Sequence, residues 1–452
     1  MKALLPVAMM TAGIALAAPE VSNVQVKDRS AGGISVSYTL AGAPAVVWMD
    51  VQTNGPSGWA SIGADAIYGD GFSRGAPSGD ANVVVLGNGD KEIVWLPHRT
   101  WPNHRVPAGQ LRVELRAYAA DNAPQYMGVD LVSGAVRFFP SESEVPGGVK
   151  ARAWRTTRML FRRIAAHGVT WISGDPFFKP QSQVSLIKSF VFPHDFYAAV
   201  FETTQRQWKT LCGDGRGPYI VGDKIPQGVD PDLLPMESAS FRHIRETDGT
   251  VLNAGAENEA YMYPNPPCPD SFLGRLRNLT VGAAFPDGID FDLPGEAQWE
   301  YVCRAGNDTE HWGEGSLAVT GGEISSMPGR CLNSPETAGV MAPAECGSYA
   351  PNAWGIYDMH GNVFEFCLDW FVSSLTVTGD WLVNANGKDI VSDPGSSVSR
   401  RVRRGGWYGI ADTYALSQCR VNTDDDKTRS MQTPAETDAR CGFRVFCRAG
   451  LW

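Results

Sequence analysis

The thiols are the residues with the widest choice of chemistry. The chain has nine cysteines: Cys212, Cys268, Cys303, Cys331, Cys346, Cys367, Cys419, Cys441 and Cys447. A thiolate can attack an electrophile, hold a soft metal or pair into a disulfide. No two of these cysteines are spaced C-x-x-C, which argues against a zinc or thioredoxin-like centre. Nine is odd, so pairing within the chain leaves at least one over. The seven histidines are scattered, with no H-E-x-x-H pair. A phosphate loop is absent from the sequence. The 39 basic residues stand against 49 acidic ones, a net charge of −10. That balance argues against a nucleic-acid partner.

The elements that must position any site fall into three textures. Lys2, the apolar run Leu4–Leu16 and the small-x-small triplet Ala15-Leu16-Ala17 predict a signal peptide over 1–18 and a secreted, periplasmic or extracellular location. No later stretch is apolar for long enough to predict a transmembrane segment. In an exported chain, clustered cysteines read as disulfides.

Residues 19–125 read as all-β. Leu111, Val113, Leu115 and Ala117 alternate with Arg112, Glu114 and Arg116, and Ile34–Tyr38 alternates likewise. Val46–Val51, Val83–Leu86 and Ile93–Trp95 add strand candidates, with turns at Asn54-Gly55, Asp70-Gly71 and Asn88-Gly89. The expectation is an immunoglobulin- or fibronectin type III-like β-sandwich. Residues 126–160, with Pro140, Pro146, Gly147 and Gly148, read as a linker. Lys150, Arg152, Arg155, Arg158, Arg162 and Arg163 would form a solvated or interdomain helix face balancing acidic neighbours.

Residues 161–452 are rich in glycine, tryptophan and cysteine. Thr204 and Gln207 form a capping-box pattern, predicting a helix through Cys212 that ends at Gly213. Pro294 and Glu296 open a second helix through Cys303. Trp208, Leu211 and Cys212 on the first, and Trp299, Val302 and Cys303 on the second, are expected to face a core.

Four ordered segments of this part resemble one family. They are Phe196-Tyr197 with Phe201-Glu202-Thr203-Thr204-Gln205-Arg206-Gln207-Trp208, then Leu293-Pro294-Gly295-Glu296-Ala297-Gln298-Trp299-Glu300-Tyr301. Next comes Gly347-Ser348-Tyr349-Ala350-Pro351-Asn352-Ala353-Trp354-Gly355-Ile356-Tyr357-Asp358-Met359-His360-Gly361-Asn362-Val363-Phe364-Glu365-Phe366. The last is Arg403-Arg404-Gly405-Gly406-Trp407 with Gly442-Phe443-Arg444-Val445. Together they are similar to the formylglycine-generating enzyme, or sulfatase-modifying factor, family. Length and the change of texture predict a multidomain chain, and the resemblance implies that its C-terminal part (161–452) has an irregular α+β fold of C-type-lectin-like character. It also implies structural Ca²⁺, with Asp358 and Glu365 giving side-chain oxygens and Gly361 and Val363 giving carbonyls. A second family calcium site is not carried over, because Leu332–Glu336 departs from its pattern. The family commonly ties the second helix to the last strand, implying a Cys303–Cys447 disulfide. Cys367–Cys419 is a further candidate pair.

Family enzymes oxidise a cysteine of a sulfatase peptide, using Cu(I) held by two cysteines spaced C-x4-C after the Arg-Gly-Gly-Ser motif. Here those two positions are Ile410 and Ala415, and Trp407 replaces the serine. Neither Ile nor Ala can ligate a metal, so copper is not expected. The functional expectation is an exported family member acting as a peptide- or glycan-binding or structural module. Its groove would be lined by Phe364, Trp407, Tyr414 and Arg420. A divergent oxidase acting on a sulfatase cysteine is the alternative. Neither the ligand nor the oligomeric state is specified by the sequence.

Overall fold

The computed structural model describes residues 18–452, apart from 30–31, 73–74, 108, 120–123, 174–187, 215–223, 250–258, 308–341, 371–381, 384–389, 392–400, 409–429, 433–437 and 449–452. The expected signal peptide therefore lies outside the described residues. So do Tyr414, Arg420, Ile410, Ala415 and Cys419. The structure is mostly β, with few and short helices.

The alternating segments of the first part become strands. One antiparallel sheet runs β1 (Glu20–Asp28), β2 (Ile34–Ala41), β7 (Gly89–Trp95) and β5 (Ser78–Gly79). The other is built on β3 (Ala45–Gly55), which pairs with β4 (Gly58–Ser61), β6 (Val84–Val85) and β8 (Leu111–Tyr118). Val36, Tyr38, Met49, Val51, Ile93 and Trp95 bury into one core between them, with Ile67 of the short helix α1 (Ala64–Tyr68). A four-residue turn of helix, α2 (Pro97–Thr100), lies against α1. Two sheets thus share one apolar core.

Residues 126–160 are not a linker. They carry β9 (Tyr126–Asp130) and β10 (Val136–Phe139), followed by β11 (Arg158–Ile164). These join a six-stranded sheet in the order β10-β9-β11, then β14 (Phe196–Ala199), β22 (Phe446–Arg448) and β15 (Phe291–Asp292). The turn residues that suggest a connection occupy only 140–151, whereas Met127, Val129, Phe138 and Phe139 are core. The basic run is correspondingly a 3-10 turn (Arg152–Arg155) and a strand, not a helix face. It does balance acids: Arg152 pairs with Asp230 at 2.8 Å, Arg158 with Asp70 at 2.8 Å and Asp130 at 3.2 Å, and Arg163 with Asp195 at 2.5 Å.

The two parts share packing. Val46 and Val84 of the first part lie in the same cluster as Met127, Phe138, Trp208 and Phe272. Arg158 lays its guanidinium over Phe72 at 4.6 Å, and the Phe138 amide donates to the Asn82 carbonyl at 2.9 Å.

The remaining elements are short. Two hairpins pair β12 (Thr170–Ser173) with β13 (Lys188–Val191) and β17 (Leu382–Val383) with β18 (Ile390–Val391). A four-stranded sheet runs β20 (Ser430–Gln432), β19 (Arg401–Arg404), β16 (Phe364–Trp370) and β21 (Cys441–Gly442). Both anticipated helices form, as α3 (Gln205–Cys212) and α6 (Glu296–Cys303), with α4 (Phe241–Arg245) and α5 (Phe272–Leu279) between them. Thr204 caps α3: its Oγ1 accepts from the Gln207 amide at 3.2 Å, and Gln207 accepts from the Thr204 amide at 2.9 Å. Trp208 stacks on Phe272 at 5.2 Å, joining α3 to α5.

Among the described residues no disulfide forms. Cys212, Cys268, Cys303, Cys346, Cys367, Cys441 and Cys447 are buried free thiols. The expected Cys303–Cys447 bridge is therefore absent, and Cys367 of the second expected pair is a free thiol. Cys303 instead sits 3.4 Å from the His360 imidazole, and its thiol donates to the Met359 carbonyl at 3.7 Å. Hydrophobic packing holds α6 in place of a covalent tie: Trp299, Val302 and Cys303 lie in one cluster with Tyr357, Met359 and Phe446.

Candidate functional site: a buried carboxylate cluster

Four segments distant in sequence converge behind β14. Phe201-Glu202 leaves the end of that strand before α3. The turn Cys346-Gly347 and the loop Asp358–Val363 pack over it, and Glu365 enters from β16. Arg444 comes from the short stretch between β21 and β22.

The loop 358–363 turns tightly because three of its residues take left-handed backbone: Asp358 (φ 59°), Gly361 (φ 73°) and Asn362 (φ 58°). Aspartate and asparagine tolerate that region better than most side chains. The turn brings the Asn362 amide inward, where Nδ2 donates to Glu202 Oε2 at 2.6 Å. The Val363 amide donates to Glu202 Oε1 at 3.3 Å. The Gly347 amide donates to Asp358 Oδ2 at 2.6 Å. Gly347 can be nothing larger, since a Cβ there would lie 2.6 Å from the Phe201 ring and its φ is +82°.

Glu365 and Arg444 form the cluster's ion pair. Arg444 donates from Nη2 to Glu365 Oε1 at 2.7 Å and from Nε to both oxygens at 3.1 and 3.2 Å. Trp299 Nε1 of α6 donates to Glu365 Oε2 at 2.7 Å. Arg444 also donates to the carbonyls of Ala199 and Tyr357, at 3.0 and 2.7 Å. Both side chains are at most 1% exposed, so the pair is fully desolvated and held by hydrogen bonds on every side.

Glu202 and Asp358 are left more electronegative than their surroundings balance. Burial, then Asp358 and Glu365 nearby, push the Glu202 carboxyl well above the usual carboxylate range against the pull of Arg444 and Asn362. Burial likewise raises Asp358 to about 6, with the Gly347 amide and Arg444 opposing. Asp358 Oδ1 is buried with no hydrogen-bond partner. Cys346 donates its thiol hydrogen to Glu202 Oε2 at 3.5 Å. The ligand atoms of Glu202, Cys346 and Asp358 all lie within 4.8 Å of one another.

Of the four residues expected to hold calcium, Asp358, Gly361, Val363 and Glu365 do lie along one loop and its following strand. Their donors are differently occupied: Glu365 is engaged by Arg444 and Trp299. The donors that converge are Glu202 and Asp358, with a thiol between them. Both oxygens of Glu202 are likewise occupied, by Asn362 and Val363, while Asp358 Oδ1 has no partner. Glu202, Cys346 and Arg444 carry no assigned role in the sequence reading. The readable sign is a lone charge inside an apolar segment, Val200-Phe201-Glu202 and Phe443-Arg444-Val445.

The expected groove is only partly described. Phe364 is core, 4% exposed, with the Arg403 guanidinium over its ring at 4.4 Å. It does not line an open surface. Trp407 is half-buried under Arg440, 5.2 Å from the ring centroid, and edge-on to Tyr408. Asp438 fixes this arginine, accepting from Arg440 Nε and Nη2 at 2.7 Å each and from Arg403 at 2.8 Å. Burial alone would raise the Asp438 carboxyl, but those guanidinium hydrogen bonds hold it at about 2.

Six of the described thiols are held away from the nucleophilic thiolate. Burial pushes Cys212 and Cys441 up to about 12, and Cys303, Cys346, Cys367 and Cys447 upward as well. No helix among the described residues is long and apolar enough to cross a membrane.

Known proteins similar to this chain share its C-terminal part. The family described as "Sulfatase-modifying factor enzyme 1-like domain" matches residues 249–449. The formylglycine-generating enzyme of Bos taurus is 25% identical over 346 residues, 71% of this chain and 83% of the relative. That of Streptomyces coelicolor is 33% identical over 163 residues, 35% of this chain and 47% of the relative. Treponema denticola variable protein 1 superimposes with a TM-score of 0.44 at 20% identity, covering 64% of this chain and 95% of that one. The C-terminal part of the chain is a domain of the formylglycine-generating enzyme family.

Proposed function

We propose that the protein is an exported member of this family that binds a protein, peptide or glycan ligand and does not carry out standard copper-dependent formylglycine formation. The observation that carries the reading is the pair Ile410 and Ala415, which stand where the family's copper thiolates are expected. A thiolate pair gives Cu(I) linear coordination, and a branched alkyl group and a methyl give it none. The burial of all seven described thiols supports the same reading, since none is exposed to a substrate peptide. Trp407, half-buried beside the Arg440–Asp438 pair, is proposed to give that ligand surface its aromatic part. Tyr414 and Arg420 are proposed to complete that surface.

A divergent oxidase is the second reading, favoured by similarity to the bovine enzyme over most of both chains. One assay separates the two. The purified chain is incubated with copper and a Cys-x-Pro-x-Arg peptide, and the peptide mass is followed. The binding-module reading expects the mass to stay unchanged. A mass loss corresponding to thiol-to-aldehyde conversion overturns it.

A further inference from the structure

We infer that the outer face of the sheet built on β3, β4 and β8 is a binding platform for a neutral oligosaccharide, anchored by Trp59 and Arg112. The strand register fixes which side chains share that face. Val47, Met49 and Val51 of β3, with their partners Ala117, Leu115 and Val113 of β8, pack in or against the core between the two sheets. Alternate residues point the other way. The pairs Trp48–Arg116, Asp50–Glu114 and Gln52–Arg112 therefore form a ladder on the outer face. The hairpin into β4 adds Ser61 opposite Gln52 and Trp59 opposite Asn54.

Two features distinguish this ladder from an ordinary solvated face. The first is an aromatic ring left in water. Trp59 is 37% exposed on β4, the edge strand of its sheet, and an indole offers a large apolar area to a ligand. The Arg112 guanidinium covers one side of the ring, 4.7 Å from its centroid. Among the described residues no strand pairs beyond β4 to cover the other. The second feature is a polar network already locked. Gln52 Oε1 accepts from Arg112 Nε at 2.8 Å, and Gln52 Nε2 donates to Asp50 at 2.8 Å and to Glu114 at 3.1 Å. Arg116 Nε donates to Glu114 at 2.9 Å, and Ser61 Oγ donates to Asp50 at 2.5 Å. The side chains around the ring are thus held in place before a ligand arrives, which lowers the ordering cost of binding.

The ligand class follows from what the network leaves unused. Arg112 meets no carboxylate among the described residues, and its contact with Gln52 occupies Nε alone, so both Nη groups are open donors. The Glu114 side chain is 40% exposed and offers acceptors beside them. The acids Asp50 and Glu114 balance the arginines Arg112 and Arg116, so the face has no net charge to attract a phosphate or sulfate polymer. Sugar hydroxyls both donate and accept, and the C–H face of a pyranose ring packs on an aromatic one. A neutral oligosaccharide meets each of these groups. The face lies outside residues 249–449, which match the family, so the inference does not rest on the ligand surface proposed around Trp407.

The test is affinity electrophoresis of the full chain in native gels containing a soluble β-glucan, xylan or mannan, with pectate as the anionic control. At least one neutral polysaccharide should retard the chain, and its concentration dependence gives a dissociation constant. Trp59→Ala should weaken binding about 10-fold or more, the loss expected of a central anchor. Trp59→Phe, which keeps a ring, should retain most of it. Val281→Ser removes an exposed apolar side chain from the other part of the chain and should leave retardation unchanged. Melting temperatures establish that each variant is folded. The inference is overturned if no neutral polysaccharide retards the chain, if pectate alone does, or if folded Trp59→Ala binds as before. Arg112→Gln gives the same reading should Trp59→Ala unfold, and undiminished binding in it counts equally against the inference.

Discussion

Glu365 and Arg444 illustrate how much one buried charge pair can carry. Their hydrogen bonds tie β16 to α6 through Trp299, and to β14 through the Ala199 carbonyl. Arg444→Met leaves a desolvated carboxylate with one remaining donor and should cost about 3–5 kcal/mol, the range for breaking one side of a buried pair. Denaturant unfolding measures it, and the double variant Glu365→Gln/Arg444→Met should recover much of the loss. If the double variant is as unstable as the single, the pair is not the cause. Asp438 acts on a different axis. Its folded carboxyl is held at about 2, below the ordinary aspartate value. The stability it contributes is therefore full above the unfolded value of about 4 and lost as pH falls from there toward 2. Asp438→Asn should flatten that part of the acid limb of a stability–pH curve. An unchanged limb would assign acid sensitivity elsewhere.

At the scale of elements, caps and turns decide where the short helices begin. Thr204→Ala removes the Oγ1 that accepts from the Gln207 amide and should destabilise the protein by about 1 kcal/mol in thermal unfolding. Gly347→Ala should cost more than about 1 kcal/mol, since its φ is +82° and its Cβ would meet Phe201 at 2.6 Å. Elements of this kind were legible in the sequence because their signals are local. The alternation in β8 and the Thr204–Gln207 box lie within a few residues. The strands β9 and β10 were not legible, because they are short and sit beside Pro140, Pro146 and the glycine pair that mark a connection. The second partner of β9, the strand β11, lies about thirty residues on, hidden in a basic run. The site divided in the same way. Loop residues such as Asp358 and Gly361 were found through their motif. Glu202, Cys346 and Arg444 meet them only through long-range folding: the Glu202–Asn362 bond spans 160 positions.

Across the whole molecule, the β-rich first part is not a detachable spacer. Val46 and Val84 sit in the core of the second part, and Arg158 reaches back to Asp70 and Phe72. A chain starting near residue 124 should therefore expose apolar surface, bind a hydrophobic dye and melt at lower temperature than the full chain. Equal melting would mean the shared packing contributes little. The order of the central sheet has another effect. Residues 446–448 insert between β14 and β15, strands made some 250 and 155 positions earlier. A nascent chain cannot close this sheet until nearly all of it has been synthesised, and until then β14 and β15 lack the strand that joins them. During synthesis the edges of these strands therefore stay open to wrong pairing.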